Sequence, residues 1–246
     1  MTQAVLQGKV AVVTGAGRGI GRAIAEAWAA AGAAVCCSAR SAAEIEDARA
    51  AITRAGGRAI AVTADVTDWD STEALLARAA ESFGGVDLVL ANAGDSMQNE
   101  PVERSDPALW RRTVEVNLIG TFHTARAAIP HLRRRGGGKI LVTGSGMGHR
   151  GTPTRSAYAA SKAGAWMLVR VLAQELADSG ICVNEIVPGP VNTAFIAQRA
   201  AQLNASTGGG EWFKEPADVV PLAMFLATQP GNGPTGQTFS LARRDL

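Results

Sequence analysis

Short apolar runs alternate with longer, Ala-rich amphipathic stretches along this chain. The runs are Val10–Val13, Ala33–Cys37, Ala59–Val62, Val86–Leu90, Ile140–Val142 and Ile181–Val187. They lack the strict in–out alternation of a strand with one wet face, so they predict strands covered on both sides. The stretches between them, Ile20–Ala31, Ala42–Ala55, Ser71–Phe83, Pro107–Arg135 and Arg155–Asp178, are long enough for helices and rich in the strongest helix former. A late helix over Ala217–Ala227 and a short strand at Gln237–Leu241 complete the pattern. Strand and helix in regular alternation predict the α/β class: a single doubly wound domain, with a central parallel sheet of about seven strands and helices on both faces.

Two segments break the rhythm. Gly144–Arg155 is a Gly-rich loop after the fifth run, and 188–215 is a long stretch carrying Thr207-Gly208-Gly209-Gly210 and the pair Trp212-Phe213. A loop of that length is usually functional or mobile, and this one is expected to be a substrate lid. No Pro/Ser linker or internal repeat divides the chain, so residues 1–246 read as one domain. Its 246 residues suffice for a full core.

Charge narrows the function classes. A net charge of +2, from 24 basic and 22 acidic residues, is too balanced for an electrostatic nucleic-acid binder. No apolar run reaches the ~18 residues of a membrane span. The start, MTQAVLQGKVAVV, lacks the basic and cleavage features of a signal peptide. The three cysteines, Cys36, Cys37 and Cys182, are odd in number and two are adjacent, so a disulfide framework is not expected and a reducing cytoplasm is. His123 and His131 have no nearby Cys or His partners in sequence, so no metal site is expected.

The first strand runs straight into Thr14-Gly15-Ala16-Gly17-Arg18-Gly19-Ile20-Gly21, which opens the first helix. In that setting glycines permit a tight turn and let backbone amides reach a pyrophosphate at the positive helix end, as in Rossmann-type folds. The second strand ends at Ala39-Arg40, where NAD-binding folds place an acid for the ribose 2′-hydroxyl. Two guanidiniums, Arg18 and Arg40, and no carboxylate suit a 2′-phosphate instead, so NADP(H) is the expected cofactor. Asp65, followed by Val66 at the end of the third strand, is placed to accept from an adenine amino group; the alternative is a helix N-cap. Asn92, Ala93 and Gly94 follow the fourth strand, where small residues leave room for a cofactor.

Tyr158 is the chain's single tyrosine, and Lys162 lies four residues on, one helical turn away on the same face. A phenol near its ordinary pKa of ~10 is a poor acid–base catalyst at neutral pH, and a neighbouring ammonium favours the phenolate. Ser145, thirteen residues before Tyr158, is placed to bond a substrate carbonyl oxygen. Asn117 sits within the predicted helix Pro107–Arg135, where asparagine is disfavoured unless it has another task.

Thr14–Gly21, Ala91–Gly94, Asn117, Ser145, Tyr158/Lys162 and Pro188-Gly189 occur in the order and spacing of the short-chain dehydrogenase/reductase superfamily. Nearly the whole chain resembles its ~250-residue branch, which includes 3-oxoacyl-carrier-protein reductases. The resemblance implies Tyr158 as acid in carbonyl reduction and base in alcohol oxidation, tuned by Lys162, which also holds the nicotinamide ribose. It implies Ser145 on the substrate oxygen and Asn117 holding a water in a proton relay. Pro188, Gly189 and Thr193 would contact the nicotinamide, and Asn92, Ala93 and Gly94 its ribose. It also implies a homotetramer pairing the two long helices.

Three departures stand out. Ala91 replaces the first Asn of the family's Asn-Asn-Ala-Gly, the tail Ser240–Leu246 lacks the usual Gly-Gly ending, and Ser179 stands where carrier-protein reductases often have an Arg. The expected function is therefore an NADP(H)-dependent oxidoreductase interconverting a ketone and a secondary alcohol. The alternatives are a 3-oxoacyl-carrier-protein reductase and a non-catalytic NADP(H)-binding sensor or scaffold. Met147, His149, Thr152 and Pro153, with Phe195, Ile196, Trp212 and Phe213 on the late loop, are candidate pocket residues for a mid-sized uncharged ketone.

Overall fold

The computed structural model describes residues 4–193 and 212–243. Seven parallel strands form one sheet: β1 (Val10–Thr14), β2 (Ala34–Ala39), β3 (Arg58–Thr63), β4 (Leu88–Ala91), β5 (Gly138–Thr143), β6 (Ile181–Val187) and β7 (Thr238–Ser240), in the order β3-β2-β1-β4-β5-β6-β7. The order reverses between β1 and β4, so the crevice beyond their carboxyl ends is where such a sheet receives ligands.

Helices cover both faces, as the unbroken apolar strands required. Val13, Val35, Leu90, Leu141 and Ile186 pack with α1 (Gly19–Ala30), α2 (Ala42–Arg54) and α7 (Val220–Thr228) around the fully buried Trp28. Their strand neighbours Val12, Cys36, Val89, Ile140 and Val183 point the other way. They pack with α3 (Trp69–Phe83), α5 (Gly120–Arg134) and α6 (Ser156–Glu175). All three cysteines are buried free thiols. Burial pushes the Cys36 thiol up, and the Cys37 thiol up to about 12.

The predicted helix Pro107–Arg135 is not continuous. It is α4 (Pro107–Val114), a π-helical turn over Glu115–Ile119, and then α5. Asp106 caps α4 by accepting from the Ala108 and Leu109 amides, with Pro107 in the first turn. The wider turn follows from Asn117, whose side chain is drawn to the backbone of Asp95, while Thr121 donates back to the Asn117 carbonyl at 2.7 Å. A π-turn inside an α-helix frequently marks a functional position. No described helix is long and apolar enough to cross a membrane.

Candidate active site

The Gly-rich turn is a closed cradle. Gly15 has φ +65°, and a Cβ there would stand 2.8 Å from Asn92 Nδ2; the Gly15 carbonyl fills the space a Cβ on Gly21 would need. Both positions therefore exclude a side chain. Asp68 and Ser41 cap α3 and α2 with their side chains, whereas Arg18, at the start of α1, makes no side-chain cap. Uncapped amides at a helix N-terminus behind a turn too narrow for a Cβ fit a pyrophosphate.

Thr14 and Asn92 lock the cradle to the sheet. Thr14 Oγ1 accepts from the Asn92 and Ala93 amides at 3.0 and 3.2 Å. Asn92 Nδ2 donates to the Thr14 and Gly15 carbonyls, and its Oδ1 accepts from Thr143 Oγ1 at 3.1 Å. One asparagine thus ties the carboxyl ends of β1, β4 and β5. That task was not legible in the sequence, because Thr14, Asn92 and Thr143 are widely separated along the chain.

At the far end of the cradle Arg40 is exposed and has no ion-pair partner among the described residues. Arg18 lies 3.5 Å from Glu44 on α2, an acid the sequence reading did not single out. Asp65 does not cap α3; Asp68 does. Asp65 Oδ1 accepts from the Thr67 amide and hydroxyl, and Oδ2 from Arg112 Nη2 at 3.1 Å. Burial pushes its carboxyl up, but the Thr67 donors and Arg112 outweigh that and hold it below its ordinary value. Val66 is buried; its carbonyl bonds His123 Nδ1 at 3.0 Å and its side chain presses on Gly120.

Catalytic candidates converge where β5, the π-turn and α6 meet. Ser145 follows β5 in extended backbone, and its Oγ accepts from the Met147 amide at 3.2 Å, which leaves the hydroxyl proton to donate elsewhere. Lys162 is only 4% exposed. Its Nζ donates to the Thr143 carbonyl at 2.7 Å and lies 5.9 Å from the centre of the Tyr158 ring. Burial pulls the Lys162 ammonium down to about 8, against an upward pull from Glu185. Asn117 is fully buried and its side chain is engaged: Oδ1 accepts from the Asp95 amide, and Nδ2 donates to the Asp95 carbonyl and Ser161 Oγ. Asn117 Oδ1 and Lys162 Nζ lie 3.0 and 3.7 Å from where a Cβ on Gly94 would stand, so Gly94 borders both.

Pro188 and Gly189 leave the carboxyl end of β6, and Gly189 has φ +71°. Thr193 Cγ2 lies 3.0 Å from the Cβ position of Gly19, which brings the start of the 188–215 segment over the cradle. Val191 bridges Lys214, and the Asn192 amide donates to the Lys214 carbonyl at 2.7 Å. The two ends of the segment are thereby joined. Phe195 and Ile196, and the tail beyond Arg243, lie outside the described residues. Trp212 is 65% exposed, with Arg243 over its ring. His149, read as a pocket residue, instead turns inward onto Glu185 and packs against Trp166.

The family model for short chain dehydrogenases matches residues 9–204. The chain is 40% identical over 242 residues to 3beta-hydroxysteroid dehydrogenase 1 of Eggerthella lenta, covering 95% of this chain and 92% of that protein. It is 39% identical over 223 residues to cis-4-hydroxycyclohexanecarboxylate dehydrogenase of Sinomonas cyclohexanicum, covering 89% of each. The crystal structure of a putative short-chain alcohol dehydrogenase from Sinorhizobium meliloti superposes with a TM-score of 0.88 at 35% identity, over 96% of this chain and 95% of that one. The chain belongs to the short-chain dehydrogenase/reductase family, nicotinamide-dependent oxidoreductases that act on hydroxyl and carbonyl groups.

Proposed function

We propose that the protein is an NADP(H)-dependent oxidoreductase that interconverts a ketone and a secondary alcohol, with Tyr158 as the proton donor and acceptor. The observation that carries this reading is Lys162: a buried ammonium, anchored on the Thr143 carbonyl, one helical turn from the only tyrosine. A cation held there favours the phenolate form of Tyr158. In reduction the Tyr158 hydroxyl donates its proton to the substrate oxygen; in oxidation the phenolate takes it back. The Ser145 hydroxyl donates to the same oxygen, and the Met147 amide bond fixes its direction. Asn117 holds the loop at Asp95 beside Lys162, and its role in holding a relay water is part of this proposal. The bound nicotinamide supplies or accepts the hydride.

Gly15, Gly17, Gly19, Ile20 and Gly21 would hold the pyrophosphate, with Arg18 and Arg40 at the 2′-phosphate, Asn92, Ala93, Gly94 and Lys162 at the ribose and Pro188, Gly189 and Thr193 at the nicotinamide. Asp65 and Val66 would border the adenine. NADP(H) over NAD(H) rests on Arg40, a cation without a partner among the described residues, next to Ala39 rather than an acid. The segment 188–215 is proposed as the substrate lid, and a homotetramer as the assembly. Both named relatives act on a hydroxyl carried by a ring system, which favours a cyclic secondary alcohol or ketone here. The test is a panel of cyclic and open-chain ketones and alcohols with each cofactor, followed by reduced-nicotinamide absorbance. Turnover that falls about 10³-fold in Tyr158→Phe, with cofactor binding retained, is expected. Undiminished turnover in that variant refutes the mechanism, and cofactor binding without turnover across the panel establishes the sensor alternative.

The carrier-protein alternative is weakened by Ser179, because the basic cluster Arg133-Arg134-Arg135 that could supply positive charge nearby is partly engaged. Arg135 is committed to Asp87 at 3.1 Å and Arg134 to His131 Nδ1 at 2.8 Å.

A further inference from the structure

Glu185 occupies the middle of β6 and is completely buried. Its Oε2 accepts from Thr238 Oγ1 on β7 at 2.7 Å and pairs with His149 Nε2 at 2.9 Å. Its Oε1 has no hydrogen-bond partner and fills the space that a Cβ on Gly144 would take. An acid in a sheet core with one oxygen unpartnered costs stability that an apolar residue of similar size would avoid. Nothing in the cofactor cradle or the proposed proton transfer uses it directly.

Its surroundings point to a task. Gly144 is the residue before Ser145, and His149 closes the short turn Gly146–Gly148 that Ser145 caps. The His149 ring packs against Trp166 of α6 at 4.9 Å between centroids. A Cβ on Gly148 would stand 2.8 Å from the Lys162 backbone, so the turn lies directly on the catalytic helix. Glu185 therefore grips both ends of the Ser145 turn, by contact at Gly144 and by hydrogen bond at His149. The charged or titratable groups drawn into this cluster are His149 on the turn, with Lys162 and Tyr158 on α6. At their contacts with it, β5 and β7 contribute the uncharged Thr143, Gly144 and Thr238.

We propose that Glu185 is a positioning residue: through His149 and Gly144 it fixes the turn that carries Ser145, and from Gly144 it acts on Lys162, whose Nζ is anchored on the carbonyl of the preceding residue, Thr143. This rests on the reading of Ser145, Tyr158 and Lys162 as the reacting set. The upward pull of Glu185 on Lys162 agrees with it, because it opposes the burial that favours the neutral amine.

The experiment uses the full chain labelled selectively on lysine. The sequence has four lysines, Lys9, Lys139, Lys162 and Lys214, so side-chain nuclear magnetic resonance can follow Lys162 through a pH titration whether or not substrate turns over. In Glu185→Gln the Lys162 midpoint is expected to fall by about half a pH unit or more. The basic limb of kcat/KM should fall with it, so that activity above pH 8 drops about threefold relative to activity at pH 6.5. Glu185→Leu, which removes the acid and leaves no unpartnered polar atom, should move both in the same direction. An unmoved Lys162 midpoint in folded Glu185→Gln, or in Glu185→Leu if the glutamine variant does not fold, overturns the proposal. So does a shifted midpoint that leaves the catalytic profile of an active enzyme unchanged. A wild type that turns over no substrate in the panel refutes the reaction assignment and the catalytic part of this role together. The lysine signal then still decides whether Glu185 holds the Lys162 proton.

Discussion

Asn117 Nδ2 donates to Ser161 Oγ at 3.0 Å, and the Ser161 hydroxyl in turn donates to the Tyr158 carbonyl at 2.8 Å. The π-turn is thus wired to the backbone of the proposed acid–base residue through one buried serine. Asn117→Ala would leave the Asp95 amide and the buried Ser161 hydroxyl each short of a partner. A loss of about 3 kcal/mol is expected, equivalent to a Tm lower by about 6–12 °C. Differential scanning calorimetry measures it; a Tm within a degree of wild type would show that the strut carries no load.

Lys162 is expected to be a liability for stability. Its burial favours the neutral amine, so Lys162→Met relieves a penalty on the order of 3 kcal/mol. The lost charge-assisted bond to Thr143 returns roughly 2 kcal/mol of that. The variant should melt about 2–4 °C higher at pH 7 while losing turnover. A lower melting temperature would contradict the assignment of burial as the dominant effect on this residue.

The same residue sets two opposite pH dependences. Catalysis that needs the ammonium should decline as pH rises through about 8. Stability should move the other way. Between about 8 and the ordinary lysine value of 10.5 the unfolded chain binds the proton that the folded chain has released, so this group makes the fold more stable as pH increases. Below about 8 both states are protonated and the penalty is present in full. Comparing kcat/KM profiles with denaturant unfolding of wild type and Lys162→Met over this window separates the two.

The pairing of Arg18 with Glu44 bears on cofactor choice. The carboxylate at 3.5 Å competes with an incoming 2′-phosphate for the guanidinium and repels the phosphate itself. Glu44→Gln is expected to lower the KM for NADPH about threefold and to leave that for NADH nearly unchanged. Arg40→Ala should raise the NADPH value about tenfold or more, since a charge-assisted bond is worth roughly 1.5–3 kcal/mol. Steady-state kinetics with both cofactors checks this, and an Arg40→Ala enzyme with an unchanged NADPH-to-NADH ratio would place the phosphate elsewhere.

The sheet was legible because parallel strands buried on both faces read as apolar runs, and its edges moved by only a residue or two, as where Ile140–Val142 became Gly138–Thr143. The Gly cradle and the Tyr158–Lys162 spacing were legible because they are local. What escaped is what distance along the chain conceals. Glu185 lay inside a predicted strand, and its partners His149 and Thr238 are 36 and 53 residues away. His149 looked like an exposed loop residue because nothing beside it in sequence shows the carboxylate it turns toward. The break at Asn117 was hidden because a π-turn keeps the apolar spacing of a helix almost intact, and only the asparagine marked it.

The bridge between Val191 and Lys214 makes the stretch between them a cassette with a closed neck. Loop-closure cost grows only slowly with length, so adding or removing residues between Thr193 and Trp212 costs little while the neck holds. Under the lid reading proposed above, grafting the segment from a relative at these two positions would exchange what the enzyme recognises while keeping how it reacts.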